Sequence, residues 1–196
     1  RFYPFKRKHM VGKQRWYEKI AMSYTGHFSN SISTKEDKLM HSNLIKDWRN
    51  GMQHSIPVSA SFTVLNYINL TASFNFTDRT YTNKIMRSWD GTTEQRDTIY
   101  GLYNVYNWNM SLAASTKLYG FLTPPRGFLG GRIQKIRHVF TPQVSLNYAP
   151  DFSASRYGYY ETYQKTDSEG NVTMVEYSPF QNSLYGVPGK GKTGSI

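Results

Sequence analysis

Between residues 68 and 77 the chain alternates strictly. After Ile68 the order is Asn69, Leu70, Thr71, Ala72, Ser73, Phe74, Asn75, Phe76, Thr77, with apolar side chains on even numbers and polar ones on odd numbers. Successive side chains of a strand point to opposite sides, so this period of two marks a strand with one oily face and one wet face. The stretch ahead of it does the same, setting Ile56, Val58, Ala60 and Phe62 against Ser55, Ser59, Ser61 and Thr63. Residues 55–77 are 23 uncharged positions, long enough for a membrane-spanning helix, but ten of them are Ser, Thr or Asn and keep the strand period. The reading is therefore a hairpin that turns at residues 64–67.

The same period recurs. Ile20, Met22, Tyr24 and Phe28 alternate with Ala21, Ser23, Thr25 and His27. Tyr106, Trp108, Met110, Leu112 and Ala114 alternate with Asn107, Asn109, Ser111, Ala113 and Ser115. A fifth run sets Phe140, Val144, Leu146 and Tyr148 against Thr141, Gln143, Ser145 and Asn147. Strands are expected near 16–28, 55–63, 68–79, 105–119 and 136–149, with a surface hairpin near 157–177 and a sixth strand beginning near the C-terminus. Their connections read long (29–54), short (64–67), long (80–104), medium (122–135) and long (150–182). Such sorting belongs to an up-and-down transmembrane β-barrel, whose short turns and long loops lie on opposite sides of the membrane.

The expected fold class is thus all-β: an antiparallel up-and-down transmembrane β-barrel segment of about five to six strands with long extracellular loops, residues 1–196 forming part of one barrel domain. Because about eight strands are needed for the smallest common barrels, the segment belongs to a larger sheet. Parity assigns Ile56, Val58, Phe62, Leu70, Phe74, Trp108, Met110, Leu112, Val144 and Leu146 to lipid, and Ser73, Asn75, Asn107, Asn109, Gln143 and Asn147 to a hydrated lumen. Trp16, Tyr17, Tyr67, Tyr106 and Trp108 fall near expected strand ends, where aromatic girdles sit. Two other classes stay open on this pattern: a porin or receptor barrel of other specificity, and a soluble β-sheet binding module.

Composition agrees with a sheet. Tyr (16), Phe (11), Ser, Thr and Asn are prominent, and 16% aromatic content with 19% charge is not a disordered composition. The chain starts at Arg1 without a leader-like segment and reads as an excerpt or a mature product. In residues 34–48, Thr34 and Asp37 have the spacing of a helix cap ahead of Leu39, Met40, Leu44, Ile45 and Trp48, so either a short amphipathic helix or an extension of the next strand fits.

Candidate chemistry is sparse. Cysteine is absent, which excludes disulfides, thiolate metal sites and a thiol nucleophile. Residues 186–193 match the phosphate-loop pattern G-x-x-x-x-G-K-[ST], but that mechanism needs a strand before and a helix after, and a turn-rich segment precedes it. His9, His27, His41, His54 and His138 lack ligand spacing, and no nucleophile elbow or carboxylate pair is present. No enzyme activity, cofactor or metal is expected. A net charge of +11 concentrates at Arg1, Lys6, Arg7, Lys8, Lys13, Arg15 and Lys19; with no nucleic-acid recognition motif, a basic periplasmic turn or a surface for anionic lipid fits better than nucleic acid.

A family resemblance is carried by Lys46-Asp47-Trp48-Arg49-Asn50-Gly51-Met52-Gln53-His54-Ser55-Ile56-Pro57, by Tyr81-Thr82-Asn83-Lys84, by Ile136-Arg137-His138-Val139-Phe140-Thr141-Pro142 and by Tyr148-Ala149-Pro150-Asp151-Phe152. These runs, with the glycine-rich end at Gly189–Ile196, resemble the C-terminal barrel of LptD, the lipopolysaccharide-assembly protein of the Gram-negative outer membrane, in its Bacteroidetes form. The resemblance implies a translocon in which lipopolysaccharide arrives from periplasmic bridge proteins, passes a lumen and a lateral opening, and enters the outer leaflet. It also implies an LptE-like plug lipoprotein as partner, contact with outer membrane lipids, and no catalytic residues.

Overall fold

The computed structural model describes residues 1–9, 12, 14–43, 46–123, 135–167 and 169–195. The described elements are β1 (Ile20–Met22), β2 (Thr25–Ser31), a one-turn α1 (Glu36–Leu39), β3 (Arg49–Val64), β4 (Ile68–Trp89), β5 (Glu94–Thr116), β6 (Leu118–Leu122), β7 (Ile136–Phe140), β8 (Gln143–Ala149), β9 (Glu161–Thr166), β10 (Val172–Tyr177) and β11 (Thr193–Ser195). The main sheet is antiparallel, in the order β1-β3-β4-β5-β8-β11, with β2 beside β1 on the same edge of β3. The sheet is open: β1 and β11 end it on opposite sides.

Two interruptions have one cause. β1 and β2 keep a single register on β3, Met22 opposite Val58 and Thr25 opposite Ser55. Between them Ser23 N–H donates to Pro57 O at 3.1 Å, and Pro57 has no N–H to return the second bond of that pair. Likewise β6 and β7 continue the register of β5 and β8, Leu118 opposite Phe140 and Ser115 opposite Gln143. Thr116 N–H donates to Pro142 O at 3.2 Å, again without a reply. Proline thus breaks each ladder without changing its alignment, and the described strands of the main sheet, continued by the β6–β7 pair, fall into six staves: β1–β2, β3, β4, β5–β6, β7–β8 and β11.

The hairpin at residues 64–67 is as expected. Leu65 and Asn66 both have positive φ (50° and 63°), the conformation of a type I′ turn that matches strand twist. The connection expected over 80–104 differs. It is strand almost throughout, with Trp89 opposite Glu94 and only residues 90–93 as a turn, so β4 and β5 reach 22 and 23 residues. At about 3.3 Å per residue β4 extends roughly 70 Å, well over twice the apolar thickness of a bilayer. Likewise 29–31 and 49–54 are strand, pairing β2 with β3. The long connections that remain are 32–48 and 150–192.

A bulge accompanies the extension. Tyr81 stands opposite Tyr103 but Asn83 opposite Tyr100, so two residues of β5, Gly101 and Leu102, face Thr82 alone. Beyond it the parity of β5 inverts relative to β4. The expected cap at Thr34 and Asp37 does not form; the single helical turn starts after Lys35 with no side-chain cap, while Leu44 and Ile45, like most of the 122–135 connection, lie outside the described residues. The hairpin expected within 157–177 is β9 paired to β10, Thr166 opposite Val172 and Glu161 opposite Tyr177.

Candidate functional site

Register sorts the side chains into two faces. On one, Ile56, Phe76 and Trp108 share a row, followed by Val58, Phe74, Met110 and Tyr148, then Ala60, Ala72, Leu112 and Leu146, then Phe62, Leu70, Ala114 and Val144. β1 adds Ile20 and Met22. All ten residues assigned to the oily face by parity therefore stand together, and all lie before the bulge. Ala60 and Ala72 are short beside Phe74 and Leu112, leaving a shallow apolar depression of about 550 Å³ along that row.

The other face carries Ser59, Ser73, Ser111, Asn147 and Ser195 in one row, with Asn75 opposite Asn109 and Thr77 opposite Asn107 in the next two. Its side chains bond to one another: Ser73 Oγ to Ser111 Oγ at 2.6 Å, Asn147 Nδ2 to Ser195 Oγ at 3.2 Å, and Arg79 Nη1 to Asn107 Oδ1 at 2.6 Å. Asn75, Asn109, Asn147, Ser111 and Thr193 line one polar hollow of about 140 Å³. Gln143 is apart from this group, opposite Ser115 near the Pro142 break.

The buried cluster is centred on the polar side, at Tyr81 and Val105, and reaches round the edge of β5 to Tyr106 and Trp108 of the oily face. Tyr81, Val105, Phe152, Tyr159 and Phe180 form it, with Tyr103, Trp108, Tyr157, Tyr160, Tyr185 and Val187 packed around. It is made by residues 150–192, a strap laid across the sheet. Where β8 leaves β5, Tyr159 takes over the exposed edge: its hydroxyl accepts from Tyr106 N–H at 2.8 Å and donates to Tyr106 O at 3.1 Å. Burial pushes the Tyr159 phenol above its ordinary pKa. Phe180 stacks on Tyr81 (5.7 Å between centroids), and Tyr81 Oη donates to Gly186 O at 2.7 Å. On the free edge of β4, Pro179 O accepts from Ile85 N–H at 2.9 Å and Tyr177 Oη accepts from Arg87 N–H at 3.1 Å. Tyr185 then covers Gly51, where a Cβ would meet its ring at 3.2 Å, and bonds His27 Nδ1 at 2.6 Å. The strap closes on itself as Gly191 N–H donates to Asp151 Oδ1 at 3.0 Å. That bond and those from the Ser153 hydroxyl and N–H hold the Asp151 carboxyl below its usual pKa, Ser153 contributing most.

The strap was not legible as such. Its Tyr, Phe and Pro content over 157–188 is too apolar for a solvated loop, and that is the signal that points to it. Tyr106 and Trp108 are mid-strand rather than at a strand end: Tyr106 meets Tyr157 and Tyr159 edge-on, and Trp108 lies between Phe74 and Tyr148. The phosphate-loop pattern is a coincidence of glycines, because Thr193 opens β11 instead of a helix and Lys192, the lysine of the pattern, lies over the Tyr148 ring at 5.3 Å from its centroid. Among the described residues no group of His, Asp or Glu has the arrangement to hold a metal ion.

What covers the oily face decides what the sheet is for. Beyond neighbouring strands, the described elements that pack substantially on the main sheet are β9 and the 3-10 turn Trp16–Lys19, and neither forms a second layer. Phe74, Met110, Leu112, Val144 and Leu146 keep 39% to 60% of their surface exposed. Burying a side chain of this size contributes about 1.5–3 kcal/mol, so these five left about half-bare in water would forgo on the order of 5 kcal/mol, a large share of the whole stability of a domain. A sheet that fills its polar side and leaves its apolar side open is built the reverse of a soluble sandwich. Residues 1–196 match the family described as LptD protein. The chain belongs to the LptD family. That is an outer-membrane family of lipopolysaccharide transport and assembly, and not a family of enzymes. No curated protein and no solved structure matches the chain.

Proposed function

We propose that the six staves of this LptD-family chain are part of a transmembrane β-barrel that delivers lipopolysaccharide into the outer leaflet of the Gram-negative outer membrane. The observation that carries it is the bare apolar face. Ile56, Val58, Phe62, Leu70, Phe74, Trp108, Met110, Leu112, Val144 and Leu146 contact hydrocarbon, and Ser73, Asn75, Asn107, Asn109, Gln143 and Asn147 line a wet lumen. Neutral hydroxyls and amides suit a sugar-bearing cargo, since they exchange hydrogen bonds with water and glycan alike. The open sheet, ending at β1 and β11, leaves strands on both sides for the remainder of the barrel. Periplasmic bridge proteins hand over the lipid, and an LptE-like lipoprotein occupies the lumen.

The strap lies on the lumen side and at the end away from the 64–67 turn, so it narrows the outer mouth. The extended β4–β5 hairpin stands above the membrane with the charged residues Lys84, Arg87, Glu94 and Arg96, where Glu94 pairs with Arg87 at 3.2 Å and Arg96 at 2.7 Å. The test is a pair of substitutions on one strand. Leu112→Arg, on the lipid face, is expected to cost about 2–4 kcal/mol at mid-membrane, whereas Asn109→Arg on the lumen face is mild. Equilibrium unfolding in phospholipid vesicles reads both, and equal costs would refute the assignment of faces. Surface exposure of lipopolysaccharide on depletion of the protein separates the translocon from a porin or receptor.

A further inference from the structure

A polar hollow of about 380 Å³ opens at the turn end of the sheet, lined by Arg1, Tyr3, Lys6, Gln14, Lys19 and Ser61. It is formed by the N-terminal segment folding back on the barrel strands. Phe2 pairs with Met22 on the outer edge of β1 through two backbone bonds, Phe2 N–H to Met22 O at 2.8 Å and Met22 N–H to Phe2 O at 2.9 Å. Farther along, Arg7 bonds the carboxylate of Glu18, which has no exposed surface and also accepts from Arg15 N–H at 2.9 Å. Both Glu18 oxygens are thereby committed, one to Arg7 and one to Arg15. The carboxylate anchors the segment and does not neutralise the hollow.

Three cations are left facing it. Arg1 and Lys6 both lie against the Tyr3 ring, at 5.6 Å and 5.8 Å from its centroid, and Lys19 ends the 3-10 turn beside Ser61. Among the described residues none of Arg1, Lys6 and Lys19 is in a salt bridge, although five salt bridges form elsewhere. Like charges gathered around one cavity repel, and an anion placed between them removes that repulsion and gains charge-assisted hydrogen bonds. Gln14 and Ser61 add neutral hydrogen-bonding groups, and Tyr3 adds an aromatic wall. A doubly charged, oxygen-rich anion next to hydroxyls satisfies all of these, which is the chemistry of a phosphomonoester on a sugar.

We propose that this hollow binds a phosphomonoester, at the end of the sheet opposite the strap. The proposal rests on the barrel reading for the side from which the ligand comes, and not for binding itself. The test uses the purified protein in neutral detergent, titrated calorimetrically with three probes: inorganic phosphate, a phosphorylated glucosamine disaccharide lipid, and that lipid dephosphorylated. Binding of a phosphorylated probe is expected to weaken about tenfold or more in Lys6→Gln/Lys19→Gln, to persist in Lys6→Arg/Lys19→Arg, and to be unaffected by Lys38→Gln on α1. Tighter binding of the lipid than of inorganic phosphate identifies a lipid headgroup as the source, and equal binding identifies free phosphate. Equal affinity for the dephosphorylated lipid, or an unchanged affinity in the glutamine variant with strand content intact by circular dichroism, would overturn the proposal. Neither outcome touches the Leu112→Arg and Asn109→Arg comparison, so the two readings fail separately.

Discussion

Tyr159 does the work of a strand with one hydroxyl. By accepting from Tyr106 N–H and donating to Tyr106 O, it satisfies both backbone groups that β8 abandons when it departs at Ala149. Tyr159→Phe keeps the ring but strands those groups, at an expected cost of about 1–3 kcal/mol. Hydrogen exchange at the Tyr106 amide should accelerate in that variant while the amides of the β3–β4 ladder stay protected; unchanged exchange at Tyr106 would remove the strap's role as an edge cap. Glu18 makes a second prediction. Its bond from Arg7, and next its bond from Arg15 N–H, hold its carboxyl below the ordinary range. A depressed folded pKa means the stabilisation is present above the unfolded value, near 4.3, and is lost as pH falls through the lower folded value. Acidification below about pH 4 is expected to release the N-terminal segment, followed by the fluorescence of Trp16, and Glu18→Gln should abolish that pH dependence.

At the scale of elements, the period of two is obeyed where side chains meet two different surroundings and fails where they meet one. Over residues 55–81, 103–116 and 143–149 the rows keep their parity from strand to strand, and Leu70, Phe74, Met110 and Leu112 already display it for β4 and β5. Over residues 80–104 Lys84, Arg87, Glu94, Arg96 and Asp97 interrupt any apolar alternation, so the sequence pattern there is that of a connection. They are strand nonetheless, since pairing β4 to β5 satisfies the backbone whichever solvent the side chains see. The bulge then adds a phase slip that no hydrophobic pattern records. Paired cysteines across the two strands should oxidise to a disulfide as Asn83→Cys with Tyr100→Cys and not as Asn83→Cys with Gly101→Cys. Crosslinking of the second pair in preference to the first would contradict the register. The prolines at 57 and 142 are a different case: visible in sequence, they break ladders and leave alignment intact, because what is lost is one donor and not one residue.

For the molecule as a whole, the faces and the strand order were legible, and the strap was not. Contacts such as Phe180 on Tyr81 and Tyr185 on His27 join residues about a hundred or more positions apart, and local pattern carries no information on which distant aromatic a loop will find. The hollow lined by Arg1, Lys6 and Lys19 was legible only as a crowd of charge; that Glu18 is consumed by Arg7 and Arg15 emerges from the fold. Everything proposed for transport depends on the two faces seeing different solvents, and one measurement addresses that directly. The chain has no native cysteine, so nitroxide labels at single cysteines over residues 107–114, in the protein reconstituted into phospholipid bilayers, report one site at a time. The labels at Trp108, Met110, Leu112 and Ala114 should relax with membrane-dissolved oxygen, and those at Asn107, Asn109, Ser111 and Ala113 with an aqueous nickel chelate. A flat profile, or one in which the Leu112 row meets the chelate and the Asn109 row the oxygen, would contradict the account.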